Sequence, residues 1–300
     1  MKLTLEWFGV ATYRLTVGDL VVFLDAYMDR VPAAPPVGLS ARDVSTAHFI
    51  LVGHSHFDHL AGAETLAVNT GATIIGSNET CRVMRERGVP RGQLLGSSGG
   101  ERHRLNRDVR VRVFPGLHSC TWAGGFGGFA DERSGLVGLC EDERASQPDG
   151  LTAQIARAAA SGAAEGDAIR EHIGSAAGSR HSGGPLVYLI ETPVATILYQ
   201  DTSGCWTGIL RDLRPDVAVL AAAGRGNLDG EPYQGSLAQF VADEASLLRP
   251  STIFICHHDD WMPPVTRDMT DITALREVLG GALPGATVNA PGYGEAVAIG

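Results

Sequence analysis

The sequence predicts a layered α/β fold, and three observations carry that prediction. Short apolar, β-branched runs recur along the 300 residues, each closed by a turn or a polar residue. Segments with helical spacing and recognisable caps lie between those runs. Hydrophobic residues make up 44% of the chain and charged residues 19%, enough apolar side chain for a sizeable core and too much for a disordered chain.

In chain order, residues 1–7 already alternate like a strand and lack the apolar centre of a signal peptide. Further strands are expected at 21–24, 49–52, 73–75, 109–114, 186–190, 194–199, 217–220 and 253–256. Ser77 opens a helical stretch that stops at Gly88, an N-cap and C′ pair. Ser236 opens a helix carrying Leu237, Phe240, Val241, Leu247 and Leu248 on one face, ended by Pro250. Thr270 opens another with Ile272, Leu275, Val278 and Leu279, ended by Gly280. Residues 121–184 break the pattern. They begin glycine- and aromatic-rich from Trp122, continue alanine-rich over 151–164 and end in a helical piece near 169–173. We read them as an insertion into one domain spanning 1–300. Its aromatic start suits a lid or an oligomer contact, and equally a surface loop that buries its rings.

The bulk numbers exclude some functions. Net charge is −10, with 24 Lys+Arg against 34 Asp+Glu and no dense basic block, so the footprint of a nucleic-acid binder is missing. Five cysteines without C-x-x-C pairing fit free thiols in a reducing compartment. No stretch is apolar enough to span a bilayer. These features imply a cytoplasmic protein with a small-molecule substrate, no nucleic-acid partner and no stable membrane insertion; a homo-oligomer is left open.

The chemistry gathers at Gly53-His54-Ser55-His56-Phe57-Asp58-His59, four metal-capable side chains in six positions directly after the 49–52 strand. In extended backbone His54 and His56 point to one side. A turn into a helix near Asp58 would aim Asp58 and His59 back toward them. The result is an imidazole pocket beside a carboxylate-plus-imidazole pocket, a donor set suited to zinc. Four ligand types at H-x-H-x-D-H spacing make a coincidental polar loop improbable. His118, Asp201, His257 and Asp25 each sit at or just past a strand end, where a rigid sheet fixes side chains.

In this order His54-x-His56-x-Asp58-His59, His118, Asp201 and His257 resemble the metallo-β-lactamase fold superfamily. That resemblance implies a four-layer αββα sandwich with the metals at the edge of two facing sheets. It implies that His54, His56 and His118 hold one ion, that Asp58, His59 and His257 hold a second, and that Asp201 bridges them. Asp25 resembles the acid that supports the metal loop. The implied cofactors are two divalent ions, zinc foremost with manganese or iron open. The implied activity is hydrolysis of an ester, lactone or phosphodiester by water activated between the two ions. An iron-dependent oxidoreductase resembling persulfide dioxygenases, and a non-catalytic metal-binding scaffold, stand as alternatives. Trp7-Phe8-Gly9 and His257-His258-Asp259-Asp260-Trp261 resemble the compact branch of ascorbate-6-phosphate lactonase and N-acylphosphatidylethanolamine phospholipase D.

Catalytic roles are expected for Asp58 or Asp201 as proton acceptor and His258 as proton donor or oxyanion partner. Arg225 or Asn227, in the loop from Gly224 to Gly230, is a candidate reader of a substrate carboxylate or phosphate, against the simpler reading of a glycine-rich turn. Trp122 would wall the pocket. His48, His103, His172 and His181 have no partner pattern and are expected as surface or core residues. The Cys205 and Cys256 thiols are expected outside the ligand set.

Overall fold

Alternation within each buried strand sorts side chains into layers. A computed structural model of the chain describes residues 2–120, 164–267 and 270–300. One seven-stranded sheet holds β1 (Leu3–Trp7), β2 (Tyr13–Val17), β3 (Leu20–Leu24), β4 (Phe49–Leu51), β5 (Thr73–Ser77) and β6 (Leu94–Ser97) in that order, with β17 (Ala296–Ala298) beside β1. The other sheet runs β16 (Thr287–Asn289), β15 (Thr252–Cys256), β12 (Val217–Ala221), β10 (Thr196–Gln200), β9 (Leu186–Glu191), β8 (Arg110–Pro115) and β7 (Arg102–Arg104). In β12, Val217, Val219 and Ala221 face the space between the sheets while Ala218 and Leu220 face outward. Val22 and Leu24 of β3 point inward and Phe23 outward. A strand buried on both sides reads as a continuous apolar run, which is why these strands are visible in the sequence.

Helices cover both outer faces, completing four layers. Leu66 and Ala67 of α2 (Ala63–Thr70) and Val83 and Met84 of α3 (Asn78–Glu86) pack with Phe23, Ile50 and Ile74. Phe240, Val241, Ala245 and Leu248 of α6 (Leu237–Leu248) and Leu275 and Leu279 of α7 (Ile272–Ala282) pack with Ala218, Leu220, Ile253 and Ile255. Each of the Val, Leu, Ile, Phe and Met side chains among these, fully buried, stabilises by about 1.5–3 kcal/mol. Ser77 caps α3 by accepting from Thr80 N, and Ser236 with Gln239 forms a capping box on α6.

Some boundaries differ from the sequence reading. Asp271 caps α7, accepting from Thr273 N and Ala274 N; the Thr270 hydroxyl instead donates to the Ala222 carbonyl. Gly280 and Gly281 lie inside α7, because the helix is held by burial of Leu275 and Leu279 rather than by local propensity. The sequence reading does not include β2, whose apolar residues alternate with Arg14 and Thr16, or the edge strands β6, β7, β16 and β17 and the small sheet of β11 (Gly204–Cys205), β13 (Asn227–Leu228) and β14 (Glu231–Pro232), which are each four residues or fewer. Of the expected insertion, Trp122, the glycine-rich start and nearly all of the alanine-rich stretch lie outside the described residues. The helical piece is present as α4 (Ala164–Ser175), and the single-turn helix α5 (Thr207–Leu210) follows β11.

The arrangement places one edge for chemistry. β3 and β4 run parallel, as do β10, β12 and β15. Asp25, Asp201 and His257 each directly follow the carboxyl end of one of these strands, and Gly53 follows two residues after β4, so these residues emerge together.

Candidate metal centre

Gly53 begins the site because nothing larger fits. A Cβ there would lie 2.1 Å from the Asp201 carboxylate. Its amide donates to Asp25 Oδ1 at 2.9 Å. The short helix α1 (Phe57–Leu60) then turns Asp58 and His59 back. His59 Nδ1 lies 2.6 Å from Asp25 Oδ2, so one buried carboxylate holds both ends of the loop. A strap from the end of the insertion lies across the loop. Ser179 N donates to Ser55 O at 2.8 Å, Ser55 N to Ser182 O at 2.9 Å and Leu186 N to Gly53 O at 2.8 Å. A Cβ on Gly178 would meet the Phe57 backbone at 2.7 Å, so the close approach requires glycine.

Three sets of donors converge among the described residues: His54, His56 and His118; Asp58, His59 and His257; and His54, His59 and Asp201. His54 Nε2 and His56 Nδ1 face each other at 3.0 Å. His118 Nδ1 lies 2.9 Å from the Ser119 carbonyl and donates to it, which leaves Nε2 with its lone pair. Asp58 Oδ2 lies 3.5 Å from His59 Nε2 and 3.4 Å from His257 Nε2. Ligands about 2.0–2.1 Å from a tetrahedral cation sit about 3.4 Å apart, so this spacing fits an ion. Asp201 lies between the triads. Its Oδ2 is 2.6 Å from His54 Nδ1 and 3.3 Å from His59 Nδ1, the side of each ring turned away from its triad. That oxygen orients the two imidazoles, and Oδ1, buried with no partner, is the atom left to reach a cation.

Electrostatics point the same way. Burial, then the neighbouring imidazoles, hold His54 well below the ordinary histidine range; His56 is lowered to about 3 and His118 to about 4, both by burial first. All three are therefore neutral ligands at neutral pH. Asp58 stays low despite burial, because His59 and His257 outweigh the loss of solvent. Burial, then their mutual repulsion in the case of Asp201, pushes Asp25 and Asp201 well above the usual carboxylate range. Two buried carboxyls raised in this way, a partnerless Asp201 Oδ1 and a partnerless His257 Nδ1 describe a site that calls for positive charge.

Other expected residues take different places. Asn227 is buried and donates from Nδ2 to the His118 carbonyl at 2.8 Å, while its Oδ1 accepts from Gly230 N. The Arg225 guanidinium donates to the Tyr233 carbonyl. The turn from Gly224 to Gly230 thus braces the His118 loop. His258 stacks on the Trp7 indole, ring centroids 4.6 Å apart at 13°, and supplies no atom to the donor sets. Burial lowers it to about 4, so at neutral pH it has no imidazolium proton to give. His172, on α4, pairs with the Tyr27 hydroxyl at 2.9 Å and meets Phe57 edge-on, beside the metal loop. His181 is exposed on the strap, and His103 pairs with Ser97. Cys205 and Cys256 are buried outside the ligand groups. The strap and the Asn227 brace carry no sequence signal beyond isolated small or polar residues.

A family profile described as a beta-lactamase superfamily domain matches residues 21–139. A "metal-dependent hydrolase" of Pyrobaculum islandicum is 32% identical over 115 residues, 38% of this chain and 50% of that protein. The chain thus spans about half the length of the curated relatives it matches. Among solved structures, a metallo hydrolase of the archaeon Ignicoccus hospitalis aligns with a TM-score of 0.63 at 15% identity, covering 100% of this chain and 99% of that one. A diiron β-hydroxylase of Streptomyces venezuelae aligns at 0.58 and 13% identity, covering 99% of this chain and 54% of that one. No helix among the described residues is long and apolar enough to cross a membrane.

Proposed function

We propose that the chain is a member of the metallo-β-lactamase superfamily and a metal-dependent hydrolase with two cation sites acting on a small ester, lactone or phosphodiester. The observation that carries this reading is the pair of triads, His54/His56/His118 and Asp58/His59/His257, set on either side of Asp201. Divalent ions bound there would lower the pKa of water to about 7 and polarise a substrate oxygen. The chain's own residues do the rest. Neutral His54, His56 and His118 present lone pairs without first losing a proton. Asp58, held ionised, is placed to accept the proton released when water attacks. Asp25 and Asp201 fix His54 and His59 from behind, so the donors need no rearrangement. We read residues 1–300 as one cytoplasmic domain, and the Trp7-Phe8-Gly9 and His257–Trp261 segments favour the compact lactonase and phospholipase branch.

Metal analysis followed by a panel of lactones, phosphodiesters and esters tests the reading. Two ions per chain, and hydrolysis that disappears in His56→Ala, are expected; a fully loaded protein inert across the panel would refute it. The fold shared with a diiron β-hydroxylase supports one other reading, an iron oxidoreductase. Iron as the bound metal together with oxygen consumption would establish that instead.

A further inference from the structure

His257 is the one triad member in left-handed backbone, at φ 59°, and the structure shows what holds it there. Its amide donates to the Val10 carbonyl at 2.6 Å, and the Trp7 indole donates to the same oxygen at 3.0 Å. Val10 is itself left-handed at φ 46°, a costly conformation for a β-branched residue that persists only where surroundings impose it. The surroundings are an ion pair. Asp259 Oδ1 accepts from Val10 N at 3.0 Å, and its Oδ2 accepts from Arg30 Nη2 at 2.6 Å and from the Tyr293 hydroxyl at 2.8 Å. The Arg30 and Asp259 side chains are 3% and 6% exposed. The guanidinium also lies over the Tyr293 ring, 5.1 Å from its centroid. Gly9 is obligatory beneath it, since a Cβ there would fall 1.4 Å from Arg30 Nη2.

From this geometry we propose that Arg30 and Asp259 are positioning residues for His257. The pair clamps Val10, Val10 seats His257, and the clamp sets the affinity of the Asp58/His59/His257 site while leaving the His54/His56/His118 site alone. The role accounts for two segments that the ligand set does not use, Trp7-Phe8-Gly9 and Asp259. It rests on the two-cation reading above.

The test titrates metal-free protein with zinc alone against a chromophoric chelator, alongside thermal unfolding of the metal-free forms. Wild type is read first, and His257→Ala marks which of its two ions belongs to the second site. The double variant Arg30→Met/Asp259→Leu removes both charges together, so no buried charge is stranded. It is expected to bind the first ion as wild type does and the second at least tenfold more weakly, with metal-free unfolding little changed. Arg30→Lys, which keeps the charge, is expected to recover most of the second-site affinity. Equal binding of both ions in the double variant, or parallel loss of both, overturns the proposal. Should the double variant not fold, Tyr293→Phe removes one hydrogen bond to Asp259; unchanged second-site affinity there overturns it equally. A wild type that binds a single ion refutes the two-cation reading itself, and the clamp proposal with it.

Discussion

The two donor triads differ in charge and in support. His54, His56 and His118 are all imidazole, and the His118 loop is held by polar backbone contacts: Asn227 to the His118 carbonyl, Thr202 to Ser119 N and the Arg225 carbonyl to Cys120 N. Asp58, His59 and His257 include a carboxylate, and their neighbourhood is aromatic. Trp261 meets His257 edge-on at 5.7 Å, and Tyr27 meets Phe57 at 5.9 Å. One triad therefore attracts a cation with lone pairs alone, the other with a full negative charge in a low-dielectric wall. On the proposed two-ion reading, the contrast means that each ion would be held by separate means and could be weakened separately.

The strongest way to break the comparison is Asp58→Ala. It should abolish binding at the second site, leave the first ion bound and lower hydrolysis by about 10³-fold or more, read by metal analysis beside a rate assay. Loss of both ions would show the triads are not independent.

Acid should act mainly on the imidazole triad. In the unfolded chain His56 and His118 take protons below their ordinary 6.5, whereas folded they stay neutral down to about 3 and 4. Protons thus favour the unfolded chain, and metal-free stability should fall as pH drops from 6.5 toward 4. The slope is about 1.4 kcal/mol per pH unit for each imidazole, measured by urea unfolding. His56→Gln/His118→Gln should flatten that slope; an unchanged slope would place the titration elsewhere.

A smaller effect comes from the brace. Asn227→Ala strands the His118 carbonyl and should cost about 1–3 kcal/mol of stability, weakening the first ion and sparing the second. The smallest is a control outside both triads. Glu244, on α6, is fully buried and raised to about 8 by burial. A carboxyl raised in the fold stabilises below its ordinary 4.5, and that stability drains as pH rises through 8. Between pH 7 and 8 wild type should therefore lose about 1 kcal/mol relative to Glu244→Gln, with metal binding unaffected.

The convergence of the candidate donors is legible in sequence because their spacing is local: H-x-H-x-D-H packs four of them into one loop, and the rest each lie at or just past an apolar strand. Strands buried on both faces were legible for the same reason. What supports the ligands was not. Gly178 meets Phe57 from 121 positions away in sequence, and Asn227 meets His118 from 109, with no periodicity to announce either contact. The edge strand β7, Arg102-His103-Arg104, is short, polar and largely exposed, so no apolar pattern announces it. His258 is a candidate in sequence by adjacency to His257, whereas its stacking on Trp7 has no sequence signal.

The pairing of β17 with β1, Thr4 opposite Ala298 and Glu6 opposite Ala296, has a temporal consequence. As the polypeptide leaves the ribosome, one flank of its first strand waits for a neighbour made almost three hundred residues later, a bare hydrogen-bonding edge throughout. His257 and its seat on Val10 arrive nearly as late. The full set of candidate donors thus cannot assemble until residue 257 has been made, and a translation product halted before it would carry the H-x-H-x-D-H loop without the partner that closes it.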